Sequence, residues 1–146
     1  GQGWGMVGNG GASWVSTPVH DGKWALFCAR PPANADSREG AAVHHEVPAA
    51  RSYLLDMWVK TEDLHAGADG HTAGALLHWG GPGIVTQGES EDVWLDIPSG
   101  GHDWYRVRTE LAMPPGATYI ELQLLLHRGA RGRVWFDDVS LVPLNG

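Results

Sequence analysis

From Tyr53 to Lys60 the chain alternates. Tyr53, Leu55, Met57 and Val59 are apolar, and they interleave with Leu54, Asp56, Trp58 and Lys60. The same two-residue period returns in Ile120, Leu122, Leu124 and Leu126 against Glu121, Gln123, Leu125 and His127. It appears again in Ala41, Val43, His45 and Val47 against Ala42, His44 and Glu46. A period of two belongs to a half-buried strand, so the first set in each run is expected to face a core. Shorter strands are predicted over residues 13–16, 23–28, 73–79, 84–85, 93–97 and 104–111. The last strand, residues 132–142, is rich in β-branched and aromatic residues and is expected to stop at Pro143. Turn signals separate these runs: Asp21-Gly22, Gly100-Gly101 and Pro114-Pro115-Gly116. Thr61 to His71 reads as a polar loop. About nine short strands without an amphipathic helix predict an all-β sandwich of two antiparallel sheets, a jelly roll.

Within the last strand, Asp137 and Asp138 are adjacent carboxylates among apolar neighbours. A carboxylate taken from water must be paired, hydrogen-bonded or bound to metal. Here it either holds a hard cation together with backbone carbonyls or ties down a neighbouring loop. Either role would place this strand inside the sandwich.

The length of 146 residues suits one domain spanning residues 1–146. A net charge of −7 and no basic stripe argue against nucleic acid as a partner. No run is long and apolar enough for a membrane helix, so a membrane is not expected as a partner either. The single cysteine, Cys28, cannot form an internal disulfide. The start at Gly1-Gln2-Gly3-Trp4 is expected for a mature or excised domain. Eight tryptophans is more than packing a small domain requires.

The order of motifs carries a resemblance. Gly3-Trp4, Asp21 to Leu26, Tyr53 through Thr61, Asp103-Trp104 with Val107, Pro114 to Ala117 and Val134 through Leu141 follow one another. The series resembles carbohydrate-binding modules of the family 4/9 kind, with relatives in families 16 and 22. The ending Phe136-Asp137-Asp138-Val139-Ser140-Leu141 is its most specific part. The resemblance implies a galactose-binding-like jelly roll that binds a polysaccharide or oligosaccharide in a concave cleft. It also implies a secreted, non-catalytic monomer that accompanies a glycan-active catalytic domain in the same parent chain. It further implies a structural calcium, held by the Asp138 side chain and a backbone carbonyl near Lys23. Oxygen donors of this kind suit calcium. The acidic N-terminal strand usual in that family is absent here, and it commonly supplies another calcium ligand.

If the strands pair as expected, one polar face gathers His44, Glu46, Asp56, Trp58, Lys60, Glu121, Gln123 and His127. Sugar rings stack a C–H face on an aromatic plane, and their hydroxyls pair with carboxylate, amide and imidazole groups. Trp58 is the expected stacking residue, and burial beneath a long loop such as 80–92 is its alternative. Trp79 and Trp94 flank a glycine-rich loop, either as a rim or second platform or as core. Trp24, Trp104 and Trp135 read as framework and Tyr53 as core.

Other chemistries are weaker. Glu46, Asp56 and Glu121 could supply a glycosidase pair, but no local motif assigns an acid and a base. That leaves a small jelly-roll lyase or hydrolase as one alternative and a structural accessory domain without a sugar site as another. His44, Glu46 and His127 could form a two-histidine, one-carboxylate metal set, though no His-x-His spacing supports it. No nucleophile elbow and no phosphate loop are present.

Overall fold

The structure, a computed structural model, describes residues 3–31, 36–82 and 92–144. Those residues form ten strands. They are β1 (Trp4–Val7), β2 (Ala12–Val15), β3 (Ala25–Ala29), β4 (Glu39–Glu46), β5 (Ser52–His65), β6 (Ala73–Gly80), β7 (Asp92–Asp96), β8 (Gly100–Ala112), β9 (Tyr119–Leu126) and β10 (Arg131–Leu144). The strand expected at residues 84–85 and most of the acidic loop before Asp92 lie outside the described residues.

Two five-stranded sheets pack face to face. The front sheet has the order β1-β4-β9-β6-β7 and the back sheet β2-β3-β10-β5-β8. All pairings are antiparallel. The all-β sandwich is as expected. The alternation also holds: Tyr53, Leu55, Met57 and Val59 from the back sheet meet Ile120, Leu122, Leu124 and Leu126 from the front sheet in one core. Apolar surface driven out of water from both sheets is what joins them.

Strand lengths differ from expectation where bulges keep the ladder going. β5 continues past Lys60 to His65 through two register shifts against β8, with Asp63 in the left-handed region, so Thr61 and Leu64 are buried. β10 runs through Pro143 to Leu144. β3 pairs with it only as far as Phe136, leaving an edge where a missing N–H is tolerated. The tight entry to β10 needs glycine, because Gly132 has φ 109° and a Cβ there would lie 2.3 Å from the Asp63 carbonyl oxygen.

β10 sits inside the back sheet between β3 and β5. The register slips between Asp137 and Ser140, so Asp138 and Val139 oppose Met57 alone. Asp138 takes φ 52° at this bulge, a conformation aspartate tolerates better than most residues. Asp137, only 7% exposed, accepts backbone N–H groups from His20 (2.8 Å), Asp21 (3.0 Å) and Asp138 (2.7 Å). Of the two roles open to this carboxylate, tying down a loop is the one its contacts show.

Candidate functional site

The outer faces of the two sheets lie on opposite sides of the sandwich, and this divides the predicted site residues. On the front sheet the register aligns Ala42, Gln123, Leu76 and Trp94 in one row and His44, Glu121, His78 and Asp92 in the next. Glu46 and Tyr119 follow, next to Gly80. His127 lies just beyond β9. His44, Glu46, Glu121, Gln123, His127 and Trp94 are therefore brought together.

Asp56, Trp58 and Lys60 are not among them. They lie on β5, on the outer face of the back sheet. Asp56 receives both arms of Arg106 (2.9 and 2.6 Å), and Lys60 faces Asp103 at 3.5 Å. The Trp58 ring is stacked against His20 at 3.9 Å with 12° between planes, and the Asp138 carboxylate accepts from His20 Nδ1 (2.6 Å). The loop that Asp137 anchors thus lays its own imidazole on Trp58, where a sugar was expected. Trp79 is a core residue, 2% exposed and edge-on to Tyr53. Of the framework tryptophans, Trp135 is buried against Phe27, while Trp24 is 54% exposed and Trp104 only half-buried.

The front face holds a cavity of about 230 Å³ lined by Arg38, His71, Leu76, Asp92, Trp94, Leu125 and His127. Three of its charged or titratable groups carry partners. His71 Nδ1 lies 2.9 Å from Asp96, His127 Nδ1 lies 3.2 Å from Asp69, and His78 closes tightly on Asp92. The Trp94 indole meets His127 and His71 edge to face, with centroids 5.0 and 5.9 Å apart. Arg30 braces the floor from behind, donating to the backbone carbonyls of His127, Ala130 and Ser37.

Charge distinguishes the two cavity histidines. The hydrogen bond to Asp96 raises the pKa of His71. Burial lowers that of His127, helped by the positive charges of Arg38 and His71 and opposed by Asp69. Burial works against ionised Asp96, but hydrogen bonds from His71 and from the Thr72 N–H outweigh it and hold its carboxyl low.

At the far end of the face, His44 lies against Tyr119 (4.6 Å between centroids) and within 3.2 Å of Glu46. Tyr119 lies across Gly80, where a Cβ would come within 2.1 Å of the ring, so glycine lets an aromatic plane rest on the sheet. Glu121 accepts a hydrogen bond from Gln123 (3.1 Å).

Arg38, His71, Asp92 and Tyr119 were missed from sequence. Asp92 and Tyr119 share a face with the predicted residues once register is known. Arg38 and His71 stand in connections, and no periodicity marks them. The proposed carboxylate pair loses Asp56 to the other sheet. In the proposed metal set, His44 and Glu46 lie at the Tyr119 end and His127 at the Trp94 end. Among the described residues, no group of three or more histidine, cysteine, aspartate or glutamate side chains is arranged to hold a metal.

Calcium was expected from the Asp138 side chain and the Lys23 carbonyl. Asp138 is engaged by His20 and Asp137 by three N–H donors, and donors aimed at carboxylates leave little room for a cation needing six to eight oxygens. The residues present do not fit that ion.

No protein-family profile matches the chain. No curated protein matches it by sequence. Solved structures do. The fold is that of carbohydrate-binding modules, among them modules of families 16, 61, 22 and 4.

A family 61 module solved with β-1,4-galactotriose superposes with TM-score 0.61 at 15% identity, over 98% of this chain and 90% of that one. The enzymatically active domain of tailspike protein 4 of bacteriophage CBA120 gives TM-score 0.69 at 12% identity, over 98% of this chain. A Clostridium thermocellum xylanase comprising a family 22 module and its catalytic module, solved with xylohexaose, gives 0.62 at 16% identity over 97% of this chain. This chain spans only 20% of the tailspike protein and 26% of the xylanase. The resemblance read from the sequence thus meets the fold it implied.

Proposed function

We propose that the chain is a non-catalytic carbohydrate-binding module whose glycan lies on the outer face of the front sheet. One observation carries this reading: a tryptophan, two imidazoles, an arginine and a carboxylate converge on one open cavity, beside a sheet face lined with Gln123, Glu121, His44 and Tyr119. Trp94 supplies the apolar plane, and the polar groups supply hydroxyl partners. The fold shared with modules solved on galactotriose and xylohexaose supports a glycan as ligand class. The carboxylates on this face are already engaged: Asp92 by His78, Glu121 by Gln123 and Glu46 by His44. That favours binding over a glycosidase pair, which needs one carboxyl free to act as acid.

In this reading the module works outside the cell, as a monomer beside a catalytic unit, and raises that unit's local concentration on polysaccharide. A structural calcium at Asp138 is not part of this reading, because His20 already engages that carboxylate, and chelation tests the point below.

Affinity electrophoresis and titration against a glycan panel test the site. Trp94→Ala is expected to weaken binding by at least about tenfold, as removal of a central aromatic anchor does. Trp58→Ala, on the other side of the sandwich, leaves affinity unchanged. The opposite pattern would move the site to the back sheet.

A further inference from the structure

We infer that Arg38 forms an anion-recognising subsite, so that the preferred glycan carries an acidic group, a uronate carboxylate or a sulfate ester, next to the sugar that meets Trp94. The inference rests on the binding-module reading and narrows its ligand.

Among the described residues Arg38 has neither a hydrogen-bond acceptor nor an ion-pair partner. Of the other groups lining the cavity, His71 has Asp96 and Asp92 has His78, while His127 Nδ1 lies 3.2 Å from Asp69 without a hydrogen bond to it. Arg38 is half-buried, and its Nε is shielded from water without an acceptor. A buried N–H of this kind is costly unless something completes it. The chain has 17 acidic residues against 10 lysines and arginines, yet among the described residues no carboxylate pairs with this arginine.

A guanidinium presents a planar fork of donors that matches a carboxylate or sulfate, which a neutral hydroxyl cannot fill as well. Asp92 and Asp96 are held by His78 and His71 and not by Arg38, so the guanidinium is left for an incoming anion. The protein's overall negative charge opposes a long polyanion at a distance. Short oligosaccharides are therefore the right probe.

Titration calorimetry on the whole chain would use tri-galacturonate against its methyl ester, which has the same sugar backbone with each carboxylate neutralised and capped by a methyl group. A sulfated and an unsulfated galactan oligosaccharide form the second pair, with neutral xylo- and galacto-oligosaccharides as reference. One charge-assisted contact predicts that the charged member of a pair binds about tenfold to a hundredfold tighter. Which pair shows the preference identifies the acid as carboxylate or sulfate. Arg38→Gln should bring the two members together. Arg38→Lys should restore part of the difference, because an ammonium keeps the charge but not the fork.

Neutral glycans binding with no preference in either pair would overturn the inference and leave the binding module standing. A preference that survives in a folded Arg38→Gln protein would overturn it too. No binding to any glycan would overturn both readings. If the glutamine variant fails to fold, the ratio measured on the unaltered protein decides.

Discussion

Asp137→Asn tests whether a carboxylate in mid-sheet is there to hold a loop. Asp137 accepts three backbone N–H groups, two from the 20–21 segment on one oxygen and one from Asp138 on the other. An asparagine can keep its carbonyl oxygen toward His20 and Asp21, but its amide nitrogen then faces the Asp138 N–H, donor against donor. The loss is the charge on two retained bonds, one bond outright, and an N–H left unsatisfied at a site only 7% exposed. Losing one charge-assisted bond and stranding one buried donor together cost about 2–4 kcal/mol. For a chain near 150 residues this lowers the thermal midpoint by roughly 5–15 °C.

Circular dichroism melting measures the shift. Tryptophan emission reports the mechanism, because release of the loop lifts His20 from Trp58 and exposes that indole. Chelator is expected to leave the unaltered protein's midpoint where it was. A midpoint within about 2 °C of the parent would refute the loop-tie argument. A chelator-sensitive parent and an insensitive Asp137→Asn variant would put a cation in the N–H groups' place.

Three further outcomes follow from packing and charge. Trp79→Ala removes a core indole that lies edge-on to Tyr53, and should cost about 3–5 kcal/mol in chemical denaturation; a surface-like loss below about 1 kcal/mol would place the ring outside the core. Burial and the neighbouring Glu39 push the Cys28 thiol far up, so alkylation should be negligible in the native protein and should track unfolding; fast native labelling would contradict the buried placement. The His71 and His127 rings, 5.0 Å apart, should titrate on opposite sides of the ordinary imidazole value by nuclear magnetic resonance. His71 then contributes stability that is full below the unfolded value and lost as pH rises through its raised pKa; His127 contributes stability present above the unfolded value and lost as pH falls through its lowered pKa. Coincident titrations would refute the opposed environments.

What the amino-acid order determined by itself is the parity of each strand. Alternation told which side of residues 53–60 and 119–127 meets the core, and Leu55, Met57, Leu122 and Leu124 are all there. It told as well that the fold is a sandwich and that Asp137 needed a partner. Parity, however, names a side of a strand and not a sheet. In a sandwich every strand turns its apolar side inward, so polar sides from different sheets look alike in sequence and point in opposite directions in space. Trp58 and Gln123 were placed on one face for that reason, and only the pairing of β5 with β10, and of β9 with β4 and β6, separates them. The same topology delivers Arg38 and His71 to Trp94 from connections that carry no period at all. Burial, a local property averaged over many contacts, is written in the pattern; the meeting of particular side chains from distant segments depends on which strands become neighbours.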